Sequence, residues 1–266
     1  MIYFPLHRYY VFNGEIRPNT KFNSSENAGG IYEVLRVIKG VPLFSDEHLK
    51  RFFNSAKLAG IEINFSNEQI MLSLHKLIKN NKVYEGNILI CFKSYLTTFF
   101  IPHKYPDQSW YLTGVPCDVL KAERQNPNVK IFQTNVRKEA DYIMEKQGLY
   151  EVILVDNHGK ITEGSRTNLF FIKEGALYTP PGDQVLKGIT REKIILLANE
   201  ENIPFTEKNI WYKDLFTYEA VFITGTSSKI LPVSKIGDLK FDPVHNITQL
   251  LRERYDKLID RQILCY

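Results

Sequence analysis

The sequence of 266 residues is poor in cysteine and has no long apolar run. Its three cysteines, Cys91, Cys117 and Cys265, are odd in number, widely spaced and without a C-x-x-C pair, which argues against a disulfide framework and a zinc site. No stretch approaches the roughly 18 apolar residues of a membrane span, and the N-terminal residues lack the cationic and apolar segments of a signal peptide. These absences favour the reducing cytosol as the compartment.

Charge of one sign is not concentrated anywhere in the chain. Lysine and arginine number 34 and aspartate and glutamate 30, so the net charge is +4. Because no basic run could follow a phosphate backbone, nucleic acid is not an expected partner. The six histidines show no metal-ligand spacing, and the patterns G-x-S-x-G, H-E-x-x-H, G-x-G-x-x-G and the Walker loop do not occur. Metal sites, serine-hydrolase, zinc-protease and NAD-type functions therefore lose support.

The composition, with 44% hydrophobic and 24% charged residues, is that of a globular protein. The length allows one large domain or two modest ones. A polar stretch broken by Asn126-Pro127-Asn128 predicts a connection, and hence an N-terminal domain at 1–117, an interdomain loop at 118–128 and a C-terminal domain at 129–266. Strands and helices occur in both halves, which predicts a mixed α/β, or α+β, architecture without a regular βαβ alternation.

Apolar periodicity predicts the main elements. Ser45 is expected to cap the first helix ahead of Asp46 and Glu47, and Gly60 to end it. The predicted helices lie at 46–59, 67–80, 135–147, 190–201 and 243–263, and strands of the first half at 87–92, 96–101 and 109–115.

Glu163 stands where a predicted strand ends, before a turn at Gly164 and the apolar run 169–172. Two further turns offer donors to an anion. Gly188 precedes a helix whose first turn holds Thr190, although a threonine there also serves as a simple cap. Gly225 to Ser228 is either a nest for phosphate or carboxylate or a plain polar turn.

Arg51 lies on the first predicted helix, beside its apolar stripe, where an arginine either binds a ligand or is solvated. Together with the two turns and Glu163, it suits a phosphorylated cofactor. Pyridoxal phosphate, in particular, requires a lysine, an anion cradle and a partner for its ring nitrogen.

The order of several motifs resembles the class IV, or fold type IV, pyridoxal-phosphate aminotransferases. These motifs are E-G-x-x-x-N-L-F from Glu163, T-P-P from Thr179, L-x-G-I-T-R from Leu186, and G-T-S from Gly225 with a following proline. The segment "YEVLRVIKGVPLFSDEHLKRF" resembles the family's H-L-x-R region. The family includes branched-chain aminotransferases, D-amino-acid transaminases and aminodeoxychorismate lyase, so the resemblance implies a small N-terminal α/β domain and a larger domain with a barrel-like sheet.

The resemblance also implies roles for residues of this chain. Glu163 would pair with the ring nitrogen of pyridoxal 5′-phosphate, and Leu186 would pack on the ring. Phosphate donors would be Arg51, Ile189, Thr190 and Thr226. The substrate carboxylate would meet Thr226, Ser227 and Ser228, and Asn168 would stabilise a turn.

The Schiff-base lysine of the family precedes the glutamate by a little over thirty residues. Lys130, 33 positions before Glu163, matches this spacing, whereas Lys138 is a poorer match. Two substrate features depart from the family, since Asn135 replaces a tyrosine typical of branched-chain enzymes and the Arg-x-His carboxylate trap of D-amino-acid enzymes is not visible.

The sequence is therefore identified as a cytosolic, homodimeric aminotransferase of this family. It would move an amino group between an amino acid, branched-chain ones included, or an amine and a 2-keto acid. Two alternatives stay open: an aminodeoxychorismate lyase on the same scaffold, and a non-catalytic binding protein of the same fold.

Overall fold

Two β-sheets organise the protein, one in each of two units, in a computed structural model that describes residues 3–24, 30–131 and 135–266. The first unit comprises Met1–Lys104, Val129–Gln133 and Ile259–Tyr266, and the second Tyr105–Asn128 and Thr134–Leu258. This division differs from the predicted one, because a strand of the second sheet, Val115–Lys121, runs through the predicted boundary at 117/118.

The first unit holds a six-stranded sheet in the order β2-β1-β6-β5-β3-β4, in which every pair is antiparallel. The Asn13-Gly14 and Lys39-Gly40 pairs, all at positive φ, make two tight hairpins. The elements are β1 (Tyr9–Phe12), β2 (Glu15–Pro18), β3 (Ile31–Ile38), β4 (Val41–Pro42), α1 (Ser45–Leu58), α2 (Asn67–Asn81), β5 (Gly86–Phe92) and β6 (Leu96–Ile101).

Helices α1 and α2 share a hydrophobic core with the sheet, in which Leu49, Phe52, Ile70 and Leu74 are fully buried. The predicted cap at Ser45 is wrong. Phe44 precedes the helix in a left-handed conformation, and no side chain caps the first turn.

The second unit holds a ten-stranded mixed sheet in the order β12-β11-β10-β14-β15-β7-β8-β9-β13, with β16 paired to β15. Its elements are α3 (Trp110–Thr113), β7 (Val115–Lys121), α4 (Asn135–Gln147), β8 (Glu151–Val155), β9 (Lys160–Gly164), β10 (Asn168–Lys173), β11 (Ala176–Thr179), α5 (Ile189–Glu200), β12 (Phe205–Glu207), β13 (Ile210–Trp211), β14 (Ala220–Gly225), β15 (Lys229–Ile236), β16 (Leu239–Lys240) and α6 (Asn246–Cys265).

This sheet curls into a half-barrel. Strands β9 and β10 lie far apart in the strand order, yet they contact each other across the turn that joins them. The curl places the ends of β9 and β10 together, and the Glu163 segment lies there. The mixed fold and the barrel-like sheet predicted from the resemblance are confirmed.

The helices predicted at 67–80, 135–147, 190–201 and 243–263 are present, with bounds shifted by at most three residues. The strand predicted at 109–115 is wrong, since Trp110–Thr113 is a short helix and the strand begins at Val115. Among the helices of residues 3–24, 30–131 and 135–266, none has the length and hydropathy that a membrane span requires.

Candidate active site

A β-bulge places Glu163 near the end of β9. Between the pairs Ile153↔Gly164 and Val155↔Ile161, strand β9 has one residue more than β8, so Glu163 lies in the irregular stretch. A bulge of this kind re-aims a side chain relative to the regular alternation of a strand. It explains why a carboxylate that is only 4% exposed stands directly before the Gly164 turn.

Two donors hold the Glu163 carboxylate, one on each oxygen. Arg124 Nη1 donates to Oε1 over 2.7 Å, and the backbone N–H of Leu186 donates to Oε2 over 3.1 Å. The hydrogen bond from Leu186 joins two residues that lie 23 positions apart in the sequence, in different motifs. The carboxylate is therefore fixed in a plane by groups on different segments, with a cation beside it.

Asn168 stabilises the loop that carries Leu186. Its Nδ2 donates to the Leu186 carbonyl over 2.9 Å. A Cβ built on Gly188 would lie 2.1 Å from Asn168 Oδ1, so the loop before α5 accepts only glycine at that position without rearrangement.

The N-terminus of α5 starts directly after this loop. Gly188 is its N-cap residue, and no side chain caps it. Thr190 is buried and its hydroxyl lies 3.3 Å from the Tyr255 hydroxyl, so the alternative in which Thr190 caps the helix is wrong. The first turn of a helix without a side-chain cap presents N–H groups, which suit an anion. Ile189 and Thr190 lie in that turn.

The turn between β14 and β15 carries the third predicted group. Thr226 and Ser227 are half-buried there, and Ser228 is buried. The hydroxyls of Ser228 and Thr224 are buried without a hydrogen-bond partner within the described parts of the chain. Buried hydroxyls usually have partners, so two without one beside this turn fit a polar ligand.

In the first unit, Arg51 forms a buried ion pair with Glu33. Its Nε and Nη2 donate to the two oxygens of Glu33, each over 2.7 Å, and His48 Nδ1 lies 2.8 Å from Oε2. Glu33 is fully buried on the inward row of β3, whose other members are apolar. His48 thus has a structural hydrogen-bonding role beside Glu33.

Electrostatics fix the charges of this group. Burial raises the pKa of Glu33, but the charge and hydrogen bonds of Arg51, together with His48, outweigh it and lower the pKa to about 2. Burial lowers the pKa of His48, against the opposing effect of Glu33, so its Nδ1–H donates to the carboxylate from a neutral ring.

Lys130 also belongs to the first unit. The N–H of Tyr32 donates to the Lys130 carbonyl over 3.0 Å, and the Lys130 N–H donates to Ser55 Oγ over 3.3 Å. The next residue, Ile131, forms an isolated antiparallel β-bridge with Ile31. The Lys130 Nζ lies 4.8 Å from the centre of the Tyr32 ring. Lys130 is therefore held beside β3 by its backbone, with its ammonium over an aromatic face.

Of the predicted site residues, Glu163 and Leu186 contact each other in the second unit, whereas Arg51 and Lys130 belong to the first unit. Sequence reasoning missed Arg124 and Glu33. Arg124 has no local signal, because its partner is 39 positions away. Glu33 had one, since it is a carboxylate at an inward position of the alternating strand "IYEVLRVI". Within residues 3–24, 30–131 and 135–266, no cluster of His, Cys, Asp or Glu could hold a metal ion.

Comparisons with known proteins show the family of this chain. The profile of the family described as amino-transferase class IV matches residues 30–236. A Methanocaldococcus jannaschii protein, provisionally named a branched-chain-amino-acid aminotransferase, is 30% identical over 85% of each chain. The D-alanine aminotransferase of Staphylococcus epidermidis is 27% identical over 86% of this chain and 88% of its own. The solved branched-chain amino acid aminotransferase of Escherichia coli has a TM-score of 0.85 at 23% identity, covering 95% of this chain and 94% of its own.

This chain belongs to the class IV aminotransferase family. It is accordingly an aminotransferase that uses pyridoxal 5′-phosphate. The residues described above suit that cofactor, because they include a buried carboxylate, a helix start without a side-chain cap and buried hydroxyls without partners. The family, the enzyme class and the cofactor predicted from the sequence are confirmed.

Proposed function

We propose that this protein transfers amino groups between an α-amino acid and a 2-oxo acid, with Lys130 as the residue that carries the cofactor and Glu163 as its ring-nitrogen partner. The observation that supports this best is the buried Glu163 carboxylate. It lies at a bulge, and Arg124 and the Leu186 N–H each hold one oxygen. A carboxylate fixed in this way suits the protonated nitrogen of a heteroaromatic ring.

Pyridoxal phosphate supplies an aldehyde that condenses with amines and a ring that accepts electrons from the substrate Cα. Lys130 Nζ would hold the cofactor through its aldehyde and, once the substrate amine has replaced it there, the released amine would move the proton from the substrate Cα as a base. The Glu163 carboxylate would keep a proton on the ring nitrogen. Leu186, beside the Glu163 oxygens through its own N–H, supplies an apolar side chain for the ring face.

Donors of several kinds would bind the phosphate. The N–H groups of Ile189 and Thr190 lie at the positive end of α5, where an anion is favoured. Thr226 adds a hydroxyl, and Arg51 adds a guanidinium whose plane Glu33 fixes.

The turn of Thr226, Ser227 and Ser228 is the proposed site of the substrate carboxylate, because N–H and hydroxyl donors are close together in a tight turn. The named relatives indicate two donor classes to test: branched-chain amino acids for the M. jannaschii protein and D-alanine for the S. epidermidis enzyme. Of these, we propose the branched-chain amino acids.

We also propose that the protein acts in the cytosol as a homodimer. All three cysteines are free, and Cys91 and Cys117 are buried, which suits a reducing compartment. The dimer is the usual assembly of the resembling family, and light scattering measures it directly.

The test combines a half-reaction with mapping of the lysine. The holoenzyme, mixed without acceptor with L-leucine, L-valine or D-alanine in separate runs, is expected to exchange the aldehyde absorption for that of pyridoxamine phosphate with a branched-chain donor. A 2-oxo acid should then restore it. Borohydride reduction and peptide mapping should label Lys130, and Lys130→Ala should lose nearly all turnover, while Lys138→Ala keeps it.

Each contrary result is distinct. Label on another lysine removes Lys130 from the site. A response to D-alanine alone replaces the branched-chain donor. If a panel of L- and D-amino acids and simple amines leaves the absorption unchanged, while aminodeoxychorismate yields pyruvate and aminobenzoate, the reaction is the lyase reaction instead.

A further inference from the structure

A second glutamate, Glu151, is buried in the interior of the same unit as Glu163. It is the first residue of β8, is 1% exposed, and pairs with Cys117 of β7. Within the described ranges, no lysine, arginine or histidine forms a salt bridge with it. A buried carboxylate without a cationic partner is costly unless hydrogen bonds satisfy its oxygens, so its contacts indicate what it does.

Five donors meet the two oxygens of Glu151. Oε1 accepts from the N–H of Val152 over 2.8 Å, from the N–H of Ser165 over 3.2 Å and from the Ser165 hydroxyl over 2.7 Å. Oε2 accepts from the N–H of Arg166 over 3.1 Å and from the Thr167 hydroxyl over 2.9 Å. Four of the five donors come from three consecutive residues that follow Glu163 by two to four positions.

These bonds fix the turn that begins directly after Glu163. The Gly164 N–H donates to the Thr167 carbonyl over 2.7 Å, which closes the turn. A Cβ on Gly164 would lie 2.2 Å from Thr167 Oγ1 and 3.0 Å from Glu151 Cδ, so the turn packs tightly around the Glu151 carboxylate. On another side, Arg137 Nη1 donates to the Ser165 carbonyl over 2.9 Å.

These donors are satisfied only by a side chain with two terminal atoms that both accept hydrogen bonds. A glutamine at 151 would place its NH₂ group against a backbone N–H donor in either orientation. An alanine would leave three turn donors, the Ser165 and Thr167 hydroxyls and the Arg166 N–H, without a partner inside the protein, whereas the Ser165 N–H would keep the Val152 carbonyl at 2.9 Å. The turn conformation, and with it the position of the Glu163 backbone in the bulge, therefore depends on the acceptor oxygens of Glu151.

We propose that Glu151 is a positioning residue for Glu163: it holds the 164–167 turn so that the Glu163 carboxylate stays aligned for the ring nitrogen of the cofactor. This inference rests on the proposed role of Glu163. Glu151 itself contacts neither cofactor nor substrate in this proposal, and its effect passes through the backbone between residues 163 and 167.

The test is a double-mutant cycle of Glu151→Gln and Glu163→Gln, followed by the pH titration of the visible cofactor absorption and by cofactor dissociation. Loss of an outer partner that orients a ligand group typically costs ten- to a hundredfold, so we expect Glu151→Gln to raise the cofactor dissociation constant roughly tenfold. It should move the titration midpoint in the direction seen for Glu163→Gln, by a smaller amount. In the Glu163→Gln background, Glu151→Gln should move the midpoint no further.

Asp156→Asn is the matched control. Asp156 accepts from the N–H groups of His158 and Lys160, each over 2.8 Å, and so holds the turn at the opposite end of the β8–β9 hairpin. The Asp156→Asn substitution should lower the melting temperature of the cofactor-free protein without moving the midpoint of the pH titration of the cofactor absorption. If Glu151→Gln does not fold, Thr167→Val removes one donor and keeps the carboxylate, and it should shift the midpoint in the same direction.

Three results overturn the proposal. In the first, the variants at 151 and 167 lower the melting temperature but leave the titration midpoint at its wild-type value. In the second, Glu151→Gln shifts the midpoint equally with and without Glu163, so its effect does not pass through that residue. In the third, Glu163→Gln alone changes neither the midpoint nor cofactor affinity, which removes the proposed role of Glu163 together with this one.

Discussion

Each unit buries a glutamate against an arginine, and the two pairs are built in opposite senses. In the first unit, Arg51 spans both oxygens of Glu33 with two atoms of one guanidinium. In the second, the two oxygens of Glu163 meet different donors, Arg124 and the Leu186 N–H. A two-point fork fixes the plane of the arginine, whereas donors from two segments fix the plane of the carboxylate.

The difference shows which partner each pair serves. Glu33 is fully buried and its carboxylate is hydrogen-bonded to Arg51 and His48, so it acts within the protein to orient the Arg51 guanidinium. Glu163 stands at the bulge at the end of a strand, so there the arginine supports an anion. The same pair of residue types can therefore fix the orientation of either a positive or a negative group.

The largest expected effect comes from Glu163→Gln. The variant should fold, because glutamine keeps the shape of the side chain and an oxygen for one donor. Its kcat at saturating cofactor should be about 10²- to 10⁴-fold lower, because a neutral amide does not hold the proton on the ring nitrogen. Steady-state kcat measures this, with far-UV circular dichroism as the control for folding. A near-wild-type kcat would mean that the carboxylate only shapes the turn.

A smaller effect, on binding, is expected from Arg51→Ala. A charge-assisted hydrogen bond contributes about 1.5–3 kcal/mol, so the cofactor dissociation constant should rise about ten- to more than a hundredfold, with a weaker effect on kcat of the saturated enzyme. Equilibrium titration of the apoenzyme measures it.

Arg17→Ala is the control for this experiment, because Arg17 pairs with Glu15 on the exposed surface of the same unit over 3.3 Å. If Arg51→Ala leaves cofactor affinity unchanged and lowers the melting temperature, Arg51 stabilises Glu33 alone. The Arg51–Glu33 pair would then have no role at the cofactor.

The smallest effect concerns acid stability of the Glu33 group. Its pKa falls from an ordinary value of 4.5 to about 2 in the folded protein. Folding therefore gains stability from this ionisation above pH 4.5, and the gain is lost as pH falls through about 2. Glu33→Gln should be less stable than wild type at neutral pH, with a difference that shrinks between these values.

Chemical unfolding at a series of pH values measures this difference, with Glu15→Gln at the exposed pair as the control. Burial lowers the pKa of His48, so His48 adds a loss of stability that begins as pH falls below its ordinary pKa of 6.5. A difference between Glu33→Gln and wild type that stays constant from neutral to acid pH would contradict the assignment.

Local signals in the sequence predicted much of the fold. The helix at 67–81 follows from Ile70, Leu74 and Leu77, which recur at helical spacing and are buried. The stretch Trp110 to Leu112 is apolar at every position and has no period, so strand and helix could not be separated there. Ser45 had the composition of a cap, but the chain enters α1 through a left-handed Phe44 that no local rule predicts.

The site was predicted where its residues lie in ordered motifs, and missed where they meet through tertiary contacts. Glu163 and Leu186 were found through their motifs, but the bond between them was not. Arg124, in the loop after β7, and Glu151, the first residue of β8, contact the Glu163 segment from positions that carry no pattern, because their partners are set by the pairing of β7 and β9 with β8. Side chains that support a site through distant contacts leave little trace in one sequence.

The division of the chain has a consequence for its synthesis on the ribosome. The first unit combines Met1–Lys104 with Val129–Gln133 and Ile259–Tyr266, and the Phe44 N–H at the start of α1 donates to Gln262 Oε1, 218 positions later, over 3.0 Å. Most of this unit leaves the ribosome first, yet its contacts are completed only when α6 has been made. A nascent chain stalled after residue 104 would hold the sheet without the Lys130 segment and without α6. Limited proteolysis should therefore cut it faster than a chain stalled after α6 has emerged.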